Sequence, residues 1–190
     1  MRLGIFADVH DHLDHLRRAV ALFNAADCET VLFAGDLVST FAVPPLRKLQ
    51  CPFIGCYGDN EGNKPGLQAG FSIVGTLGEA PVYWTSPDGL RFVIVHMERQ
   101  LRLVPSDREF DIAICGHTHK PAIRTDDRDR LFLNPGEVSG WTFSQPTVML
   151  FDTSTRDAHI RSLLPDVANR DTNPDAVETR MRSGESLPQS

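Results

Sequence analysis

Residues 1–10 read MRLGIFADVH, an unbroken apolar run, Leu3–Ala7, that stops abruptly at Asp8-Val9-His10. Such a run is too short for a helix. It is continuous rather than alternating, which is the pattern of a strand covered on both faces. The same unit recurs along the chain. Val31–Ala34 stops at Gly35-Asp36, and the run from Pro52 to Gly55 leads to Gly58-Asp59-Asn60. Phe92–Val95 stops at His96, and Ile112–Cys115 stops at Gly116-His117-Thr118-His119. Five predicted strands thus each deliver Asp or His at the carboxyl end, where open α/β sheets bind their ligands.

The intervening segments fit that arrangement. Leu13, Leu16, Val20 and Phe23 follow the 3-4-3 spacing of a helix with one apolar face, and Asp11 is a suitable N-cap. A second, shorter helix is predicted over about Pro45–Leu49. The second half reads as antiparallel pairs. Ala80–Thr85 and Leu90–Val95 flank Ser86-Pro87-Asp88-Gly89, Ala122–Thr125 and Leu131–Leu133 flank a charged turn, and Val148–Asp152 precedes His159–Leu163. The expected class is α/β, with two packed mixed sheets and helices outside. Residues 1–164 form the predicted domain. Residues 165–190 are polar and proline-containing, and are read as a flexible tail with a short helix from Asn173-Pro174 to about Arg182.

Composition removes several functional classes. The chain has 190 residues, 19 Lys+Arg against 25 Asp+Glu and a formal charge of -6, with no basic run. That balance argues against non-specific nucleic-acid binding and against an anionic membrane surface. No apolar stretch approaches the ~20 residues of a membrane span, and the N-terminus turns polar at Asp8, unlike a secretory leader. Cys28, Cys51, Cys56 and Cys115 lack metal-site or redox-pair spacing, so reduced thiols in a cytoplasmic protein are expected.

The strand-end residues supply Asp8, Asp36 and Asp59 as oxygen donors, and His10, His96, His117 and His119 as nitrogen donors. Mixed imidazole and carboxylate sets suit Mn, Fe, Zn, Ni or Co rather than Ca. Seven side chains exceed what one ion takes from protein, and Asp36 is a suitable bridging carboxylate. Two ions ~3.5–4 Å apart are the usual arrangement for phosphoester hydrolysis.

Asp8-Val9-His10, Gly35-Asp36, Gly58-Asp59-Asn60-Glu61, His96 and Gly116-His117-Thr118-His119, in this order, resemble the calcineurin-like metallophosphoesterase superfamily, specifically its small bacterial and archaeal phosphodiesterase branch. Asn134-Pro135-Gly136 is also similar to that branch. The resemblance spans about residues 1–164. It implies a four-layer α/β/β/α sandwich. It also implies one metal held by Asp8, His10, Asp36 and His119, and a second held by Asp36, residue 59, His96 and His117. A metal-bridging hydroxide would attack a small, nucleotide-derived phosphodiester, Mn2+ is the favoured ion, and a homodimer is a further implication.

Two departures from the family pattern matter. Gly58-Asp59-Asn60-Glu61 stands where members usually carry Gly-Asn-His-Asp/Glu. A carboxylate at Asp59 lowers the formal charge of a two-metal, three-aspartate site to about +1, which favours tight metal binding over attraction of an anionic substrate. Asn60 occupies the leaving-group position but cannot act as a general acid. His12, on the same loop as His10, is the substitute acid; the other alignment makes Asn60 itself the ligand. Lys64 and Arg99 are candidate phosphate contacts, Asn134 a loop support, His15 an exposed helix residue and His159 a strand residue far from the site. The Glu61–Gly66 loop is not a P-loop, lacking the GxxxxGK(S/T) pattern and a following helix. Asp36 is followed by Leu37-Val38-Ser39-Thr40, without the arginine of phosphoprotein phosphatases, which favours a diester. The competing functions are a phosphomonoesterase or dinucleotide polyphosphate hydrolase, and a non-catalytic scaffold of the kind found in a retromer subunit of this superfamily.

Overall fold

The computed structural model describes residues 1–164, so the predicted tail and its short helix lie outside the described residues. The strands are β1 (Arg2–Phe6), β2 (Thr30–Ala34), β3 (Phe53–Cys56), β4 (Gly75–Gly78), β5 (Val82–Thr85), β6 (Arg91–Ile94), β7 (Ile112–Ile114), β8 (Ala122–Thr125), β9 (Leu131–Asn134), β10 (Thr147–Asp152) and β11 (Asp157–Ser162). The helices are α1 (Leu13–Ala25), α2 (Val43–Leu46) and α3 (Lys64–Phe71), with 3-10 segments at Thr40–Ala42 and Glu98–Leu103. A six-stranded sheet runs β11-β10-β1-β2-β3-β4, and a five-stranded sheet runs β5-β6-β7-β9-β8. Both are mixed. β1 to β4 are parallel neighbours, β6, β7 and β9 likewise; antiparallel β10 and β11 extend the first sheet beyond β1, and antiparallel β5 and β8 close the two edges of the second.

The continuous apolar runs are explained by what covers each face. Leu3, Ile5, Leu32 and Ala34 point between the sheets, where they pack with Phe92, Ile94, Ile112, Ile114 and Leu133. The alternate residues Phe6, Val31 and Phe33 point outward, beneath Leu16, Val20 and Phe23 of α1. On the far face of the second sheet, Val93, Val95, Ala113 and Cys115 are covered by Phe110, Leu101 and Val104. The fourth layer is therefore thin, a 3-10 segment and the chain after it rather than a long helix. Cys28, Cys56 and Cys115 are buried, and all four cysteines are free thiols. Among the described residues, no helix is long and apolar enough to cross a membrane.

Several local expectations are corrected. The α1 N-cap is His12, whose Nδ1 accepts from the His15 amide (3.3 Å). Asp11 instead accepts from the amide (3.2 Å) and hydroxyl (2.8 Å) of Ser39, tying the first loop to the second. The second helix begins earlier than Pro45 because the 3-10 turn from Thr40 runs into Val43–Leu46, with a proline in its first turn. A helix does arise, beginning at Lys64 within the expected Glu61–Gly66 loop. α3 is capped by Asn63, whose side chain accepts from the Gly66 amide (3.0 Å), and Leu67 and Phe71 fasten it to the core. Two glycines and a proline in eight residues disguise it. The same scarcity of strand-forming residues hid β4, Gly75-Thr76-Leu77-Gly78.

Phe6 is fully buried, with its ring 4.7 Å from Phe33, 5.9 Å from Phe23 and 6.1 Å from Phe53. Truncation to alanine leaves a void that three rigid rings cannot fill. Phe6→Ala is expected to cost about 3–5 kcal/mol, read as a lowered urea midpoint at unchanged slope. A loss below about 1 kcal/mol would contradict this packing role.

Candidate metal centre

The carboxyl ends of six parallel strands meet at one rim. β1 leads to Asp8 and His10, β2 to Asp36, β3 to Asp59, β6 to His96, β7 to His117 and His119, and β9 to Glu137. Backbone bonds extend the sheet pairing into these loops. The Asp8 amide donates to Gly35 (2.9 Å), the Val9 amide to Asp36 (2.8 Å), the Gly116 amide to His96 (2.9 Å) and the Ser139 amide to Asp8 (3.0 Å). Asp8, His10, Asp36, His117 and His119 all adopt positive φ, between 43° and 68°. Left-handed backbone is costly at a non-glycine residue, and its concentration at five of the seven predicted ligands marks a functional site. Gly58 is required by proximity, because a Cβ there would lie 1.9 Å from Asp36 Oδ1.

All seven predicted side chains come together. Asp8, His10 and His119 form one group, and Asp59, His96 and His117 another, each with donor atoms within 4.8 Å of one another. Asp36 stands between them. Its Oδ2 lies 3.5 Å from His10 Nε2 and 3.4 Å from His96 Nε2. His10 Nε2 and His119 Nε2 are 3.3 Å apart. Asp59 Oδ1 lies 2.8 Å from His96 Nε2 and 3.6 Å from His117 Nδ1, so Asp59 rather than Asn60 faces those imidazoles. Asn60 turns back, donating from its backbone (3.0 Å) and its side-chain amide (2.8 Å) to Asp36.

The donor atoms are prepared for a cation. His96 Nδ1–H donates to the Ala34 carbonyl (2.7 Å), which turns Nε2 toward the cluster, where it is buried without a hydrogen-bond partner. His119 Nδ1–H donates to Glu137 Oε2 (2.8 Å), leaving its Nε2 directed at His10. Histidines that ligate metals are held in this way by a carbonyl or carboxylate behind the ring. Three carboxylates, converging imidazoles and an orphaned buried nitrogen fit divalent ions.

The electrostatics carry the same signature. Burial pushes the Asp8 carboxyl up to about 7. Burial also opposes charge on Asp36, but the adjoining His96 and the Asn60 donors outweigh it and hold that carboxyl well below the usual range. Burial would lower His96, yet the adjoining Asp36 carboxylate raises it to about 9. Burial lowers His10.

Residues 1–156 match the calcineurin-like phosphoesterase superfamily domain. The chain belongs to that superfamily. A phosphodiesterase of Methanocaldococcus jannaschii is 32% identical over 160 residues, covering 83% of this chain and 96% of the relative. A solved archaeal phosphodiesterase superposes with a TM-score of 0.78 at 30% identity, covering 85% of this chain and 99% of that one. Vps29 of Entamoeba histolytica shares the fold alone, with a TM-score of 0.59 at 18% identity, covering 86% of this chain and 100% of that one.

Within this phosphoesterase domain, two residues hold the cluster that sequence reasoning missed. Glu137 is fully buried and accepts from His119, the Ser139 hydroxyl (2.8 Å) and the amides of Thr142 (3.1 Å) and Phe143 (2.7 Å). Its signal was the strand-end rule itself. β9 ends at Asn134 and is followed by Pro135-Gly136-Glu137, but its pairing with β8 drew it into the hairpin half. Glu61, quoted only as part of a motif, accepts from the Asp36 (3.0 Å) and Gly58 (2.9 Å) amides and so fixes the loop carrying the bridging candidate. Asn134 donates to Gly116 O (2.9 Å) and Thr118 Oγ1 (3.0 Å), the support expected of it.

Two other candidates, Lys64 and His15, lie differently than expected. Lys64 is paired with Glu79 (2.8 Å) and sits 4.9 Å from the centroid of the Tyr57 ring. Arg99 is exposed on the 3-10 segment after His96. His15 is not a plain surface residue. It is half-buried, donates from Nδ1 to the carbonyls of Val138 (3.1 Å) and Ser139 (3.0 Å), and stacks on His12 at 3.6 Å. His159 is exposed on β11.

Metal binding must displace the protons held by His96 and Asp8. Because both groups bind protons more tightly than usual in the free chain, lowering the pH strengthens the competitor. Affinity for Mn2+ is therefore expected to rise from pH 6 to about 9 and then level, with proton release on binding at pH 8. Calorimetry in buffers of different ionisation enthalpy measures that release. Affinity independent of pH over this range would contradict the assignment.

Proposed function

We propose that the chain is a two-metal phosphodiesterase acting on small diesters. Asp8, His10, Asp36 and His119 would hold one ion, and Asp36, Asp59, His96 and His117 the other. The observation that carries the reading is the position of one oxygen, Asp36 Oδ2, between His10 Nε2 and His96 Nε2, with a further group of donors beyond each. Divalent ions at such a site acidify water to a nucleophile at neutral pH and offset charge on the phosphoryl oxygens. The imidazole and carboxylate set favours Mn2+, with Ni2+, Co2+, Fe2+ or Zn2+ as substitutes. The free cysteines fit a cytoplasmic setting.

The protein's own groups set the remaining chemistry. Asn60 fixes the Asp36 carboxylate and offers no titratable proton, so it orients and does not protonate. His12 is the proposed proton donor to the leaving group. Its Nδ1 is committed to the helix cap, so a neutral ring carries its proton on Nε2. Burial and the neighbouring His15 lower its pKa. Little imidazolium then remains at neutral pH, which favours substrates with good leaving groups. With Lys64 engaged by Glu79, the loop after Asp59 presents no free ammonium to a second phosphate charge, and this supports a singly charged diester. The relatives named phosphodiesterases support the same choice.

The test is turnover by Mn2+-loaded protein of bis(p-nitrophenyl) phosphate against p-nitrophenyl phosphate. Faster diester hydrolysis is expected. His117→Ala should lower it more than about 100-fold, since even residues behind metal ligands cost 10–100-fold. Preference for the monoester would remove the diesterase reading. Failure with both esters, across Mn2+, Ni2+, Co2+ and Zn2+, would leave the scaffold reading ahead.

A further inference from the structure

Among the described residues, eight large apolar side chains are strongly exposed, and three of these are aromatic: Phe41, Trp141 and Phe143. All three lie on the two loops tied to the metal centre. Phe41 follows Ser39, which is bonded to Asp11 beside His10. Trp141 and Phe143 lie on the loop that Glu137 gathers through the amides of Thr142 and Phe143. Exposure of Trp141 is 66% and of Phe41 72%. An exposed indole loses hydrophobic stabilisation that burial would supply, so an exposed tryptophan on a loop tied to the metal centre calls for an occupant.

Trp141 is not a loose surface side chain. Its indole N–H donates to the His10 carbonyl (3.3 Å), and its ring centroid lies 4.8 Å from that of His12. His12 is in turn stacked on His15 with planes 4° apart, and His15 is pinned to the Val138 and Ser139 carbonyls. Trp141, His12 and His15 thus form a braced run of rings leading away from a predicted metal ligand. Glu137 joins the two parts, because one carboxylate holds both His119 and the backbone bearing Trp141 and Phe143. A flat group attached to a phosphate at the metal centre would meet an aromatic face already in place, without ordering a loop on binding.

We propose that Trp141 is a specificity residue that stacks on the base of a nucleoside carried by the diester. This rests on the phosphodiesterase reading. Stacking discriminates by flatness rather than by hydrogen-bond pattern, so different bases are accepted and an aliphatic group is not.

The experiment compares two diesters with one leaving group, thymidine 5′-(p-nitrophenyl phosphate) and ethyl p-nitrophenyl phosphate, on the Mn2+-loaded full chain. The readout is the ratio of their kcat/KM values in wild type, Trp141→Phe and Trp141→Leu. Both variants lose the indole N–H, but only leucine loses the aromatic face. The ratio is expected to fall about tenfold in Trp141→Leu and to stay within about twofold in Trp141→Phe. A second readout needs no turnover: thymidine 5′-monophosphate should quench tryptophan fluorescence in the wild type and not in Trp141→Phe. Equal ratios in all three proteins would overturn the proposal. So would a patch that serves a second copy of the chain, seen as unchanged ratios with a smaller sedimentation coefficient in Trp141→Leu. If wild type hydrolyses neither diester, the phosphodiesterase reading itself fails, whereas hydrolysis of both with unchanged ratios removes only the role of Trp141.

Discussion

A single buried carboxylate, Asp36, is the point on which the rim of this protein is organised. It faces an imidazole from β1 and another from β6, so it touches both sheets at once. Its backbone amide is held by Glu61, its side chain by Asn60, and the adjoining Gly58 leaves the space it occupies. Burying Asp8 beside Asp36 costs desolvation and, to a smaller extent, mutual repulsion, visible as the elevated Asp8 pKa. Strained backbone at five of the predicted ligands adds to that cost. The fold meets both costs with two apolar cores and continuous strand pairing, which hold the strand ends in place whatever the rim contains.

The strands, the two sheets and the direction of their carboxyl ends were readable because burial on both faces leaves an unmistakable mark. Leu3, Ile5, Leu32 and Ala34 must be apolar for one sheet contact, and Phe6, Val31 and Phe33 for the other. Where burial is slight, the mark fades. α3 is secured by Leu67 and Phe71 alone, and β4 contributes one buried leucine, Leu77, between two glycines. The candidate ligands were legible because Asp and His after an apolar run are chemically conspicuous. Glu137 follows the same rule but lies three residues beyond β9, a strand that the sequence presents as one arm of an antiparallel pair. β9 pairs on both sides, parallel to β7 and antiparallel to β8. The bonds of His15 and the true N-cap depended on which loop lies across α1, and that is a tertiary fact.

The acidic balance of the chain takes on a specific meaning at this rim. A formal charge of -6 with no basic run argues against non-specific nucleic-acid binding and an anionic membrane surface. In the proposed site the positive charge comes from cations rather than from side chains, so an acidic protein can receive an anionic ester. Fold alone does not decide that chemistry, since Vps29 shares the architecture. The convergence of seven donor side chains, with Asp36 between the two groups, supports catalysis over assembly.

The measurement that bears most directly on that claim is the metal content of the protein after equilibration with Mn2+ and removal of excess. Two ions per chain, magnetically coupled in their electron paramagnetic resonance spectrum, is the result this account predicts. One ion per chain, or two that do not sense each other, would contradict the shared role of Asp36.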